Sequence, residues 1–202
     1  VFYANRKGSD RTSMKYWKDD IKIYFEESVP KSHADNLMEF AQSISKDIDS
    51  LNIQRVDNID ESNYHVYYLN LESNTDFEPR IPNKTGFYAN WNGKQQFTKA
   101  SLKINTELLN DDIYQQNHLK YWFFISLGYF YTSNEFECGS MLTSCQGLRK
   151  VTKKDLEILK YHYSYGVCKG VNLKSFEELT SNMQQRLKED PNARLFVVHQ
   201  NQ

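Results

Sequence analysis

The run Tyr64-His65-Val66-Tyr67-Tyr68-Leu69-Asn70-Leu71 constrains this chain most. Its residues are largely β-branched or aromatic, and apolar side chains fall at odd and even positions alike. Neither face of the strand it predicts can be left to water. Such a strand belongs in the middle of a sheet, with cover on both sides. Neighbouring segments supply the rest of that sheet. Ile21 to Phe25 alternates at its start and reads as a strand with one face buried, with Trp17 over its beginning. Gly86 to Trp91 and Phe97 to Asn105 flank Asn92-Gly93, a hairpin turn signal that adds two strands.

Helical periodicity fills the intervals. Ala34, Leu37, Met38, Ala41, Ile44, Ile48 and Leu51 predict an amphipathic helix over 33–51, opened after Pro30 by a capping box of Ser32 and Asp35. From Asp111 to Tyr131 the apolar residues crowd together, with Tyr121, Trp122, Phe123, Phe124, Ile125, Leu127 and Tyr129 predicting a helix buried nearly all round that ends near Gly128. Thr152 and Asp155 form a second capping box, opening a helix to about Tyr163. Asn172 to Leu187 reads as a further amphipathic helix with Phe176, Leu179, Met183 and Leu187 on one stripe. Leu195-Phe196-Val197-Val198 is fit for an edge strand or a docking tail, while 72–84 and 132–150 read as irregular.

These elements make an α+β chain with a mixed sheet and a helical C-terminal part. No repeat or low-complexity linker divides it, so one domain over 1–202 is expected, with a core of about 17–180 and a C-terminal helix and tail over 172–202. Twenty-five Lys and Arg balance 26 Asp and Glu to a formal charge of −1, which removes the broad basic field that nucleic acid or an anionic membrane requires. No apolar run nears the roughly 20 residues of a membrane span. Cys138 and Cys145 stand close enough for a local bridge that leaves Cys168 over, and three reduced thiols fit equally well. Asn83-Lys84-Thr85 is a glycosylation sequon. The start at Val1 fits a mature or trimmed product, which allows an exported, periplasmic or cell-surface location.

The order of strand, long helix, strand, hairpin, buried helix, irregular turn and helix resembles that of zincin-type metallopeptidases. The residues reinforcing the order are Gly86-Phe87-Tyr88-Ala89-Asn90, Ala100-Ser101-Leu102-Lys103-Ile104, Ser126-Leu127-Gly128-Tyr129, Ser140-Met141 and Val151-Thr152-Lys153-Lys154-Asp155-Leu156. Leu159-Lys160-Tyr161-His162-Tyr163 and Lys169-Gly170 are similar to the ends of degenerate zincin-like domains in a family of uncharacterised secreted bacterial proteins. The likeness covers roughly residues 17 to 180. It implies a zincin-like fold in which Gly86 to Asn90 is the strand that aligns an extended peptide, and the helix ending at Leu127-Gly128 is where His-Glu-x-x-His would lie.

On that pattern Tyr121 and Ile125 stand at the two histidine positions, Trp122 at the general-base glutamate and Tyr131 at the third ligand, with Met141 in the methionine turn. Zinc requires imidazole, thiolate or carboxylate donors, two of them one helical turn apart. Indole and alkyl groups donate nothing to a metal, and Trp122 has no lone pair to take a proton from water. No cofactor is therefore expected, and zinc is the alternative. Nucleophilic motifs are absent as well: Ser126 lacks a Gly-x-Ser-x-Gly elbow and Cys145 an evident histidine.

The expected function is accordingly that of a non-catalytic, pseudo-metallopeptidase binding module, using Gly86, Phe87, Tyr88 and Trp91 as an edge for an extended peptide or protein chain. Exposure of Trp91 would favour binding, and burial would make it a packing residue. One alternative is a hydrolase with a relocated site built from His118, Glu135, Glu137 and His162; Cys138 and Cys168 with His162 are a further conceivable metal set. Another is a carbohydrate-binding or cell-surface module, in keeping with the many Tyr and Asn residues.

Overall fold

The computed structural model describes residues 13–69, 84–164, 167 and 169–192. Five strands form one mixed sheet: β1 (Ile21–Phe25), β2 (Ile53–Arg55), β3 (Tyr64–Leu69), β4 (Gly86–Trp91) and β5 (Phe97–Asn105), in the order β2-β1-β3-β5-β4. All neighbours run parallel except β4, which lies antiparallel to β5. β3 is central, and each of its six residues is buried, as its two-sided apolarity demands. On one face Tyr64 packs against Phe123 and its hydroxyl lies 2.8 Å from Ser126 Oγ. On the other, His65 meets the Tyr24 ring and the Lys103 ammonium lies over Tyr67. β2 is too short, with Ile53 alone buried, to leave a periodic signal in the sequence.

Helix α1 spans Lys31–Ser45 and does not use the expected capping box. Pro30 is its N-cap, and the His33 and Ala34 amides both donate to the Pro30 carbonyl, so Ser32 already lies inside the first turn where its hydroxyl cannot cap. The helix also stops short of residue 51. Its apolar stripe outlasts it, because Ile48 and Leu51 reach the core through turns that bring the chain round to pair β2 with β1.

Helix α2 spans Asp112–Ser126, capped by the Asp111 side chain. It ends near Gly128, as expected, with Leu127 as its C-cap, and Tyr129 then adopts a left-handed φ of 51° that turns the chain away. One expectation needs correction, that of burial all round: Leu119 and 123–126 are in the core, but Ile113 and Tyr114 are exposed and Tyr121 and Trp122 only half-buried. Gly128 follows because nothing larger fits; a Cβ there would sit 2.5 Å from the Phe130 ring and 3.0 Å from His162 Nε2.

Helix α3 (Lys153–Tyr163) opens with the expected capping box of Thr152 and Asp155. Helix α4 (Leu173–Glu189) is capped by Asn172, and no residue of it is buried, so its apolar stripe lies partly open, with Phe176 against Tyr161. Cys138 and Cys145 are bonded to each other. Among the described residues, no helix is long and apolar enough to cross a membrane. Asn70, Leu71, Asn83 of the sequon, Cys168 and the Leu195 to Val198 tail lie outside the described residues.

Candidate functional site

β4 closes one edge of the sheet, and alternation along its ladder fixes what that edge presents. The Ala100 amide donates to the Asn63 carbonyl on the β3 side, so Ala100 faces away from β4 and its partner Ala89 is a non-hydrogen-bonded position. The backbone N–H and C=O of Ala89 therefore point outward, and those of Phe87, two residues earlier, do the same. Among the described residues no strand pairs with that outer side. A bulge at Asn90/Trp91 shifts the register where the hairpin begins to close. The turn holds its shape through the Asn92 side chain, which accepts from the Lys94 and Gln96 amides, while Gln95, not Gly93, takes the left-handed conformation.

Next to this edge runs a line of aromatic rings. Trp91 meets Tyr129 with centroids 5.8 Å apart, Tyr129 meets Phe87 at 5.3 Å, Phe87 meets Trp122 at 5.9 Å and Trp122 meets Tyr121 at 4.9 Å. Tyr131 joins through Tyr129. The left-handed turn at Tyr129 is what brings that ring back over β4. Trp91 is 42% exposed and Tyr131 37%, so the line is part of the surface. A cation stands at each end: Lys15 Nζ lies 4.5 Å from the Trp91 ring, and the Arg149 guanidinium 4.1 Å from the Tyr121 ring. Arg149 is positioned by α2, where Asn117 exchanges two hydrogen bonds with its backbone, and by the Cys145 carbonyl, which accepts from Nη2. Burial, the larger cause, raises the Tyr121 phenol while Arg149 opposes it; burial likewise raises Tyr129 and lowers Lys15.

The positions that the zincin resemblance assigns to zinc lie on α2 and the turn after it. Ile125 is core, Tyr121 and Trp122 are rings of the aromatic line, and Tyr131 sits at its surface end. Trp122 Nε1 has no hydrogen-bond partner among the described residues. This donor set does not fit a zinc ion. Met141 is buried, in a turn tied to α3 by the fully buried Asp155. One carboxylate accepts from Ser140 Oγ at 2.6 Å, from the Met141 and Leu142 amides at 3.0 and 3.3 Å, and from the Thr152 amide and hydroxyl at 2.8 and 2.9 Å.

The alternative site residues are dispersed in kind. His118 sits against Tyr121, its pKa lowered by burial and then by Arg149. His162 is fully buried between Phe130 and Tyr163, donating from Nε2 to the Lys15 carbonyl at 2.9 Å, and burial pushes it down to about 3. Glu135 and Glu137 are exposed. Among the described residues, no group of three or more His, Cys, Asp or Glu side chains is placed to hold a metal ion. Sequence reasoning missed a further chain: Tyr68 hydroxyl, His33 and Asp112 are linked at 2.7 and 2.6 Å, joining β3, α1 and the start of α2. It also missed Lys15 and Arg149, which no motif marks.

No model of a known protein family matches the chain, and no curated protein matches it at a significant level.

Proposed function

We propose that this chain is a zincin-like domain without zinc chemistry, and that it works as a binding module taking up an extended peptide as an added strand along β4. The observation that carries the reading is the pairing of two features: outward-facing backbone groups at Phe87 and Ala89, and an aromatic line beside them that ends in the exposed Trp91. Main-chain hydrogen bonds to an edge strand give affinity, and alternate side chains of the guest meet whatever lines the groove. The zincin-like assignment draws support from the antiparallel edge strand beside α2 and from the Met141 turn held by Asp155. Trp122 stands where a general base would be and packs against Phe87, so the reading fills the catalytic position with a groove wall. The Cys138–Cys145 bond supports an oxidising compartment, and hence export.

Edge strands tolerate proline where the lost N–H faces outward, so Ala89→Pro should leave the sheet paired and remove one donor from the guest. Binding of a random heptapeptide display library is expected to fall at least about tenfold in this variant at an unchanged melting temperature. Equal binding by both proteins would overturn the reading.

A further inference from the structure

The aromatic line beside β4 is framed by segments that carry no carboxylate. The sequence holds 26 acidic residues, yet none falls within 84–106, 113–134 or 138–154. These stretches contain β4, β5, nearly all of α2 with its turn, and the loop bearing Arg149. Five acidic residues interrupt them: Asp111 caps α2 and Asp112 is bonded to His33, while Glu107, Glu135 and Glu137 are exposed. Lys94, Lys99 and Lys150 are exposed on the framing segments. At the two ends of the line, Lys15 and Arg149 lie over aromatic rings, and neither forms an ion pair with a described carboxylate. The unmatched nitrogens here include two donors, Trp122 Nε1 and Arg149 Nε. A net charge of −1 thus conceals three stretches whose charged residues are all basic.

Resting on the peptide-binding reading of β4, we infer that the guest is an acidic peptide, an extended chain bearing Glu or Asp on the side that faces the aromatic line. Lys15 and Arg149 take its carboxylates, the rings between them pack against the methylene stems of that same face, and the residues that alternate with the carboxylates point away from the line. Aromatic faces hold each cation in place, and among the described residues no carboxylate pairs with either, which leaves both to a guest anion. Phe87 and Trp91 are four residues apart on a strand, about 13 Å, and the line continues past Phe87 to Trp122 and Tyr121, so a guest of at least about six residues is needed to reach along it.

The test uses fluorescein-labelled hexapeptides of alternating Glu-Val, Gln-Val and Lys-Val, measured by anisotropy against the full chain at low and high salt. The expected result is that Glu-Val binds at least about tenfold more tightly than Gln-Val, loses that margin at about 0.5 M salt, where charges are screened within about 4 Å, and loses it also in Lys15→Glu. Trp91→Ala, on an exposed residue, should weaken all three peptides and serves as a second variant should Lys15→Glu disturb the chain near His162. Equal affinity for Glu-Val and Gln-Val, with both weakened by Ala89→Pro, would overturn the acidic preference and leave the edge-strand reading standing. Failure of every peptide to bind would sink both. Tight binding of a sulfated oligosaccharide or of single-stranded DNA that Ala89→Pro leaves unchanged would overturn the peptide guest in favour of a polyanion surface.

Discussion

Asp155 shows how much one buried carboxylate can organise. Its two oxygens complete the capping box of α3 and at the same time close the turn that carries Ser140, Met141 and Leu142. Asp155→Ala leaves those donors in a dry interior without an acceptor, and each buried unsatisfied donor costs about 1–3 kcal/mol. The expected loss is about 3 kcal/mol or more, read as a lower denaturant midpoint, with Asp155→Asn losing less because one acceptor oxygen remains. A loss below about 1 kcal/mol would mean that the turn does not depend on α3. Histidine burial has its own signature. Burial holds His162 near about 3, and burial followed by Lys99 holds His65 near about 4, against about 6.5 in an unfolded chain. Between pH 6.5 and pH 5 the unfolded chain therefore binds protons that the folded chain refuses, and stability falls as pH falls, by up to about 1.4 kcal/mol per pH unit for each histidine. His162→Gln keeps a donor for the Lys15 carbonyl and should flatten that slope in urea titrations across the window; a slope parallel to the native protein would assign the pH dependence elsewhere.

At the scale of elements, the strands that pack on both sides or alternate cleanly were legible. β1, β4 and β5 fall where their patterns place them, because strand burial repeats every two residues and needs no distant information. Helix ends were less legible. The stripe through Ile48 and Leu51 continues past α1 because apolar residues mark burial and not backbone shape, and Ser32 looked like a cap because capping depends on where the first turn begins. The site was legible on one side only. Phe87, Tyr88 and Trp91 follow from the hairpin, whereas Lys15 and Arg149 reach the aromatic line from remote stretches, brought there by contacts between 13–17 and 162–172 and between Asn117 and Arg149. The cysteines left two states open, and the fold decides between them by placing Cys138 and Cys145 with their Cα atoms 5.3 Å apart. A bridge at a sequence separation of 7 removes about 2.5 kcal/mol of chain entropy from the unfolded state. Reduction should lower the melting temperature by roughly 5–10 °C for a chain of this size, and the Cys138→Ser, Cys145→Ser pair should match it. No change on reduction would mean that the loop is held by Asp155 and Asn117 alone.

For the molecule as a whole, the proposal is that a peptidase frame has exchanged a metal centre for packing. If Tyr121, Trp122, Ile125 and Tyr131 occupy the ligand and base positions of a zincin, then changing them to His, Glu, His and His should rebuild a zinc site, since two histidines one helical turn apart converge on one ion. The change carries a cost. Ile125 is in the core and Trp122 wedges against Phe87, so the metal-free variant should melt well below the native protein. Zinc would offset this by binding only the folded state, raising the melting temperature in proportion to its concentration above the dissociation constant. The native chain, purified without chelator, should hold no stoichiometric zinc by mass spectrometry and show no shift on zinc addition. Stoichiometric zinc in the native protein would replace the binding-module reading with an enzymatic one. A variant that folds, as judged by circular dichroism, yet takes up no zinc or cobalt would dissolve the zincin mapping while leaving the open edge of β4 and the Trp91–Tyr129–Phe87 part of the aromatic line standing, because those rest on the ladder at Ala89 and on ring contacts outside the four mapped positions.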